Sequence, residues 1–374
     1  MMSAEFHILS VPVQCGKTTL LESWVQTQPQ GSIGGCLSPD RVKENGRKTR
    51  VFWDVQTASE VLFEWGAQDE IDPDDLLEIG RFRFRQSGFD WVQRQMTEWS
   101  GNQSLQTLII DEVGPLELRL NSGMEPGLSG FIDEMRQPGQ TGRRVLFVVR
   151  DYLLEDFLAR YQLKECIINQ GPWFPNRLEV AGLLLMGGQS SRMGTDKSQL
   201  DYHGQPQYRY ALSQLHRALE PRASCWLSAA EGQDLVLEER EIRVHDAPVF
   251  AGHGPISGVL SAHVLAPQKA LLVLGVDYPH LKDYALSRLV SAYRVSGRSV
   301  CFAPANPDSK LPKREHLEPL VALYTHSDLQ ALLLYFNQGG RSLKAFLSQC
   351  DALILPYDEK MGLESIDTLP VKKP

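Results

Sequence analysis

The sequence predicts two α/β domains in tandem, each with three layers, in which a mostly parallel sheet lies between helices. The chain has 374 residues, and at about 150 residues per domain this length favours two domains and allows three. Short apolar runs alternate with runs of helical spacing, which is typical of strands joined by crossover helices. Residues 171–177 (GPWFPNR) interrupt this alternation with two prolines and no periodicity. We therefore predict a first domain at 1–170, a linker at 171–179 and a second domain at 180–374.

The elements follow in order from the spacing of apolar residues. In the first domain, a helix is expected at 17–25, and strands are expected at 6–11, 50–55, 80–84, 105–110 and 144–149. In the second domain, a helix is expected at 208–219 and strands at 178–186 and 270–276. Further alternation of strand and helix is expected over 319–324, 329–336, 342–347 and 352–355.

Composition excludes several classes of protein. Lys and Arg total 38 against 46 Asp and Glu, a net charge of −8, which disfavours a general nucleic-acid binder because phosphate contacts need clustered cations. No apolar run is long enough to span a membrane, and the start of the chain has no secretory pattern. The six cysteines are scattered and form no CxxC pair. We expect a cytoplasmic protein without nucleic-acid or membrane partners.

A first candidate site lies at residues 11–18 (VPVQCGKT), which nearly fit the phosphate loop GxxxxGK[ST]. Gly16, Lys17 and Thr18 stand at the motif's offsets, between an apolar strand and a helix, and Thr19 follows. Backbone N–H groups at a helix start, a lysine and a hydroxyl are the groups that bind triphosphate and Mg²⁺. Val11 stands where the motif has its first glycine.

A Walker-B pattern follows at residues 108–111, where apolar residues end in Asp111. This carboxylate is expected beside Mg²⁺, with Thr18 as the other ligand from the protein. Glu112 is the candidate base that would polarise an attacking water.

Residues 1–170 resemble a small family of bacterial and archaeal nucleoside-triphosphatases. The motifs that carry the resemblance are GKTTL at 16–20, GSIGGCLSPDR at 31–41 and IIDEVGPLEL at 109–118. The resemblance implies a RecA-like P-loop fold and hydrolysis of ATP or GTP with Mg²⁺.

A second candidate site lies at residues 185–197 (LMGGQSSRMGTDK), a glycine-rich loop after a predicted strand. Gly187 and Gly188 would let backbone amides approach a base and phosphates closely, and Ser190 adds a hydroxyl. Arg192 and Lys197 supply cationic groups for the phosphate oxygens.

This run closely resembles the signature of the molybdenum cofactor guanylyltransferases, and the resemblance continues over about residues 178–370. It implies a Rossmann-like nucleotidyltransferase fold in which Asp277, in the segment VDYP, holds Mg²⁺. The same resemblance assigns nucleotide contacts to Leu185, Asp246 and Gly254. Near the end, Ser365 and Asp367 stand where the family has a pair of asparagines, and Asp367 remains a candidate metal ligand.

The resulting expectation is Mg²⁺-dependent transfer of GMP from GTP to molybdopterin, with Arg192, Lys197 and Asp277 as catalytic residues. A cytidylyltransferase that uses CTP, a sugar-nucleotide pyrophosphorylase and a non-catalytic nucleotide-binding regulator are the alternatives. The fusion to a triphosphatase suggests shared handling of the cofactor, with molybdoenzymes or cofactor-insertion proteins as candidate partners.

Three arginines, Arg81, Arg83 and Arg85, alternate along a predicted strand and would share one face of it. That face either meets solvent or binds the phosphate of a nucleotide or pterin.

Overall fold

The computed structural model describes residues 3–42, 46, 48–66, 69–174, 179–186, 197–230, 233, 235–305, 312 and 314–366. The chain divides into two compact units, Met1–Pro175 and Asn176–Pro374, and the division falls inside the segment expected to be the linker. Within the described ranges, no helix combines the length and the apolar composition that a membrane span requires.

The first domain contains the first ten strands and first five helices that the structure describes. The strands are β1 (Glu5–Val11), β2 (Ile33–Leu37), β3 (Asp40–Val42), β4 (Lys48–Asp54), β5 (Glu60–Leu62), β6 (Leu76–Ile79), β7 (Phe82–Arg85), β8 (Thr107–Val113), β9 (Arg144–Arg150) and β10 (Ile167–Ile168). The helices are α1 (Lys17–Gln26), α2 (Gln86–Gly101), α3 (Pro115–Leu120), α4 (Gly127–Met135) and α5 (Leu154–Arg160).

The main sheet of this domain runs in the order β10-β1-β9-β8-β2, and these five strands are parallel. Beyond β2 the sheet continues antiparallel through β4, which pairs with both β3 and β5. The strands β6 and β7 form a separate hairpin. Because the carboxyl ends of parallel strands open on one edge of a sheet, the segments after β1, β8 and β9 lie together.

The strand that carries the Walker-B pattern is longer than predicted. The expected strand at 105–110 is β8, which continues through Asp111 and ends at Val113. Glu112 has a φ of 65°, and the pairing with β9 shifts register between Ile110 and Val113. A residue in this left-handed conformation bulges the strand, which redirects the side chains at its end.

The second domain contains the remaining strands and helices that the structure describes. The strands are β11 (Val180–Leu185), β12 (Cys225–Ser228), β13 (Glu241–Val244), β14 (Ala270–Gly275), β15 (Val300–Pro304), β16 (Glu318–Tyr324) and β17 (Leu353–Tyr357). The helices are α6 (Gln207–Ala218), α7 (Pro255–Leu265), α8 (Asp283–Ser296), α9 (His326–Asn337) and α10 (Leu343–Gln349).

The second sheet has the order β13-β12-β11-β14-β16-β15-β17. It is parallel except at β16, which pairs antiparallel with β14 and β15. The residues of β14 and most residues of β11 are fully buried, as expected for central strands covered on both faces. The carboxyl ends of these two neighbours therefore define one edge of the sheet, where the predicted site residues follow.

The first part of the predicted linker packs against the first domain. Trp173 is buried, and its ring meets His7 and Trp24 edge-on at centroid distances of 5.0 and 5.8 Å. Residues 175–178, in the middle of the predicted linker, lie outside the described residues.

Candidate nucleotide sites in the two domains

Lys197 and Asp277, eighty residues apart, line one cleft in the second domain. The Nζ atom of Lys197 donates a hydrogen bond of 3.2 Å to the backbone carbonyl of Ile366. The backbone N–H of Ile366 donates one of 2.9 Å to the carbonyl of Asp277. The segment at 366 thus ties two of the three predicted catalytic residues to each other. The third, Arg192, lies outside the described residues.

The carboxylate of Asp277 has room because residue 275 is a glycine. A Cβ atom at Gly275 would lie 2.6 Å from Oδ1 of Asp277, closer than such atoms approach. The side chain of Asp277 is half-buried, two residues after the end of β14. Any larger residue at 275 would therefore displace the carboxylate.

The donor set at this cleft suits a hard divalent cation, because carboxylate oxygen is the ligand that Mg²⁺ prefers. Asp277 supplies such oxygens, and the other predicted ligand, Asp367, follows Ile366 directly but lies outside the described residues. Among the described residues, no group of three or more His, Cys, Asp or Glu side chains could hold a metal ion. Of the two predicted ligands, Asp277 is the one that the structure describes at this cleft.

Behind Asp277, the phenol of Tyr278 donates a hydrogen bond of 2.6 Å to Oε1 of Glu318. Burial raises the pKa of Glu318, and the negative charge of Asp277 raises it further, whereas the bond from Tyr278 lowers it. Glu318 opens β16, the strand beside β14. The pair therefore fixes a second carboxyl group close to Asp277.

Gln207, which no sequence motif indicated, lines the same cleft. It is the first residue of α6 and only 1% exposed. Neither its Nε2 nor its Oε1 atom has a hydrogen-bond partner among the described residues. A buried amide without partners costs free energy, which a binding site can recover when a polar ligand arrives.

The backbone of Leu185 and Met186 is already engaged in the sheet. The Leu185 carbonyl accepts a hydrogen bond of 3.0 Å from Val276, and the Met186 N–H donates one of 3.1 Å to Ser228. Base recognition by this loop would therefore fall mainly to the residues that follow. Those predicted for it, Gly187, Gly188 and Ser190, lie outside the described residues.

The other two predicted nucleotide contacts lie on loops after β13. Asp246 is exposed, and partial burial of its carboxyl raises its pKa while a hydrogen bond with Ser228 lowers it. Gly254 is exposed and immediately precedes α7, with a φ of 73°. Because Ser228 also binds Met186, Asp246 reaches the point where the glycine-rich loop begins.

In the first domain, the phosphate-loop residues join β1 to α1. Val11 is the last residue of β1, pairs with Arg150 and is fully buried, so a β-branched residue suits its extended backbone. The left-handed conformations fall later, at Gln14 with φ 63° and at Gly16 with φ 83°. Gly16 caps α1, whose first residues are Lys17, Thr18 and the exposed Thr19.

The structure brings the predicted Walker residues together. Thr18 Oγ1 donates a hydrogen bond of 3.0 Å to Oδ2 of Asp111, across 93 positions of sequence. Lys17 Nζ donates to the backbone carbonyls of Val11 and Pro12 at 3.0 and 3.1 Å. Asp111 is 2% exposed, and burial, assisted by the charge of Glu112, raises its pKa to about 6.

Glu112, the predicted base, lies between two arginines that the sequence analysis did not assign. One carboxylate oxygen accepts a hydrogen bond from Arg50, and the other lies 3.5 Å from a terminal nitrogen of Arg150. Arg150 is the last residue of β9, so a charged residue at the end of a buried strand was the available signal. The two guanidinium groups hold the carboxylate that would orient a water.

Comparison with known proteins finds matches to the second domain. A family model described as the MobA-like NTP transferase domain matches residues 182–353. A molybdenum cofactor guanylyltransferase from Ralstonia nicotianae is 25% identical over 203 residues, which cover 51% of this chain and 93% of the relative. A molybdenum cofactor biosynthesis bifunctional protein from Synechocystis sp. is 28% identical over 189 residues, covering 50% of this chain and 51% of the relative.

Among solved structures, molybdopterin-guanine dinucleotide biosynthesis protein A from Archaeoglobus fulgidus is 20% identical, with a TM-score of 0.37. The match covers 47% of this chain and 83% of that one. The matches to this model and to the guanylyltransferases lie in the second domain, and the chain is a nucleotidyltransferase. Residues 1–181 lie outside the matched family model.

Proposed function

We propose that the second domain transfers GMP from GTP to molybdopterin in an Mg²⁺-dependent reaction of molybdenum cofactor biosynthesis. The observation that carries the proposal is the convergence of Lys197, Asp277 and the segment at Ile366 in one cleft within the MobA-like domain. The relatives described as molybdenum cofactor guanylyltransferases support the choice of both substrates.

In the proposed reaction, an oxygen of the terminal phosphate of molybdopterin attacks the α-phosphorus of GTP. The new P–O bond joins GMP to the pterin phosphate, and the bond between the α-phosphorus and its bridging oxygen breaks. The leaving group is pyrophosphate. Such a transfer is accelerated mainly by positioning and by neutralising charge on the phosphates.

The residues of this chain divide those tasks. Lys197 neutralises phosphate charge, and its bond to the carbonyl of Ile366 fixes its position before substrate arrives. Gln207 offers an amide to a polar group of one substrate. Arg192, in the glycine-rich loop, would add a second cation on the triphosphate. Asp277, with Asp367, would hold the Mg²⁺, which supplies further neutralisation of the triphosphate when bound.

The choice of GTP over CTP depends on contacts of the glycine-rich loop. The test is chromatographic analysis of the dinucleotide formed when the full chain receives molybdopterin with GTP, CTP or ATP. The proposal expects product with GTP and at least tenfold less with CTP or ATP. Preferential product from CTP would identify a cytidylyltransferase. Activity on a sugar phosphate alone would identify a pyrophosphorylase, and no product at all would favour a regulator.

For the first domain, we infer a second function, the binding and hydrolysis of ATP or GTP with Mg²⁺. The specific observation is the bond between Thr18 and Asp111 beside Lys17 at the start of α1. In a P-loop site the lysine contacts the terminal phosphates, and the hydroxyl and carboxylate lie beside Mg²⁺. Glu112 would orient the attacking water. Because Arg50 and Arg150 already pair with the carboxylate oxygens of Glu112, the water would have to compete with these two arginines.

A further inference from the structure

The first domain contains a cavity of about 250 Å³. Of the residues that line it, only Glu112 and its partners Arg50 and Arg150 have a part in either proposed function. It lies between the β6–β7 hairpin and the carboxyl ends of β8 and β9. Glu112 forms part of its wall, and the neighbouring Asp111 binds Thr18 of the phosphate loop. The cavity therefore begins where the Walker-B strand ends.

The interior of the cavity is aromatic. Phe63, Phe84 and Phe89 are buried and line it, and Phe82 extends the surface outwards with 39% of its area exposed. The rings of Phe63 and Phe84 are nearly parallel, with centroids 6.1 Å apart, and those of Phe82 and Phe84 are 6.3 Å apart. Such a row of flat faces favours a planar ring system as the ligand.

Four arginines, at positions 50, 81, 119 and 150, also line the cavity, together with the carboxyl groups of Glu112 and Glu117. Arg50 and Arg150 pair with Glu112, whereas Arg81 and Arg119 are exposed and form no ion pair among the described residues. The carboxylate of Glu117 accepts hydrogen bonds from the backbone of Gly114 and Met124, at 2.9 and 3.0 Å. Two guanidinium groups thus remain to bind an anion, in a chain whose net charge is −8.

Of the three arginines predicted to share one face of a strand, only Arg81 lines the cavity. Phe82 and Phe84 point to the cavity from β7, so Arg83 and Arg85 lie on the other face of that strand. Arg85 stacks on Trp65 at 3.4 Å and pairs with Asp69. Arg81, in the turn of the hairpin, lines the cavity and lies 5.3 Å over the ring of Phe82.

We propose that this cavity binds a second small molecule, a flat fused-ring compound that bears a phosphate, beside the nucleotide of the first domain. The rings would stack on Phe82 and Phe84, and the phosphate would bind Arg81 and Arg119, since guanidinium groups match phosphate geometry. The site goes beyond nucleotide hydrolysis because it gives the first domain a second ligand, positioned next to Glu112.

The test uses 1-naphthyl phosphate as the probe, which carries fused rings and a phosphate but no base for the transferase cleft to recognise. Binding to the full chain is followed by the fluorescence of the probe. Naphthol, which lacks the phosphate, and inorganic phosphate, which lacks the rings, are the comparison ligands. The proposal expects saturable binding of 1-naphthyl phosphate and at least tenfold weaker binding of both fragments.

Variants locate the binding. Phe82→Ala and Arg119→Ala change exposed side chains of the cavity and should each weaken binding at least tenfold. Arg83→Ala, on the opposite face of the same strand, is the matched control and should leave binding unchanged. Equal weakening by Arg83→Ala, or no saturable binding by the unmodified chain, would overturn the proposal.

The Lys17→Ala variant tests whether a phosphorylated ring in the cavity belongs to a separate ligand or to a nucleotide held by the phosphate loop. A separate ligand should bind the Lys17→Ala chain as tightly as the unmodified one. Loss of probe binding in this variant would instead mean that the cavity receives part of a nucleotide held by the phosphate loop, and the proposal of a second molecule would be wrong. These binding results do not depend on whether the second domain has the proposed transferase activity.

Discussion

The side chain of Lys197 hydrogen-bonds to the backbone carbonyl of Ile366, 169 residues later in the chain and 3.2 Å away. The contact joins the segment after the glycine-rich loop to the end of the described chain, and Ile366 in turn binds the backbone of Asp277. Three distant segments therefore fix the geometry of one cleft.

Replacing Gln207 with leucine should stabilise the protein and impair transfer. The substitution removes a buried amide without partners, which should raise the free energy of unfolding by about 1 kcal/mol. It also removes a polar group from the cleft, so kcat/KM for transfer should fall at least tenfold. Urea unfolding and steady-state pyrophosphate release measure the two effects.

Gln214→Leu is the matched control for this prediction, since Gln214 is also buried on α6. Its Nε2 atom donates to the carbonyl of Leu281 at 2.7 Å and to Asp283 at 3.2 Å. This variant should lose stability and retain transfer. If Gln207→Leu also lost stability, or transferred GMP normally, the assignment of Gln207 to the substrate would be wrong.

A single substitution in one proposed nucleotide site should abolish the activity of that site and leave the other site active. Lys17→Ala removes the cation of the phosphate loop and should lower release of inorganic phosphate by at least a hundredfold, while pyrophosphate release in the transferase assay persists. Asp277→Asn should have the opposite effect. Separate assays of phosphate and pyrophosphate on the same preparations measure both. Loss of both activities in either single variant would contradict two independent sites.

Placing the motif's glycine at position 11 should destabilise the first domain. Val11 is fully buried in β1, so Val11→Gly creates a cavity and adds backbone freedom to the unfolded chain. The expected cost is about 2–4 kcal/mol in unfolding free energy, with no gain in nucleotide affinity. Thermal unfolding and titration with a fluorescent ATP analogue provide the measurements. Tighter binding by the glycine variant would mean that Val11 obstructs the phosphate loop.

Glu117 should make the stability of the first domain fall as pH rises towards neutrality. Burial, with a smaller contribution from the charge of Glu125, raises the pKa of Glu117 from 4.5 to about 7, despite hydrogen bonds from Gly114 and Met124. Between these values the folded protein keeps a proton that the unfolded chain has released. Stability is therefore lost as pH rises from about 5 to 7, by an amount on the order of 3 kcal/mol.

Urea midpoints of the unmodified chain and of Glu117→Gln across this pH range test the prediction. The variant should lose the part of the decline that Glu117 causes, while the part from Asp111, whose pKa is also raised, should remain. The midpoint of the variant relative to the unmodified chain should therefore rise with pH. Glu165→Gln, at an exposed carboxyl, should follow the unmodified chain. Parallel curves for Glu117→Gln and the unmodified chain would show that Glu117 does not titrate in this range.

The parts of the molecule that sequence predicted well are those governed by local patterns. The buried strands β1, β9 and β14 follow from short apolar runs, and the contact of Thr18 with Asp111 follows from two motifs at strand ends. The strand β16 was expected at 319–324, but its antiparallel direction could not be predicted, because that direction depends on packing between distant segments.

One helix had a clear sequence signal that was not used. Helix α2 buries Phe89, Val92, Met96 and Trp99, whose spacing is helical, yet it was not predicted. Gln207 had no such signal, because its lack of partners depends on tertiary packing around α6. The pairing of Glu112 with Arg50 and Arg150 likewise joins three strands that only the folded sheet brings together.

Transfer at this cleft is tested most directly by pyrophosphate release from the full chain with GTP, Mg²⁺ and molybdopterin, compared between the unmodified protein and Asp277→Asn. We expect release that requires all three components and falls at least a hundredfold in the variant, with the fold retained by circular dichroism. Undiminished release by a folded Asp277→Asn protein would contradict the assignment of this cleft as the site of transfer.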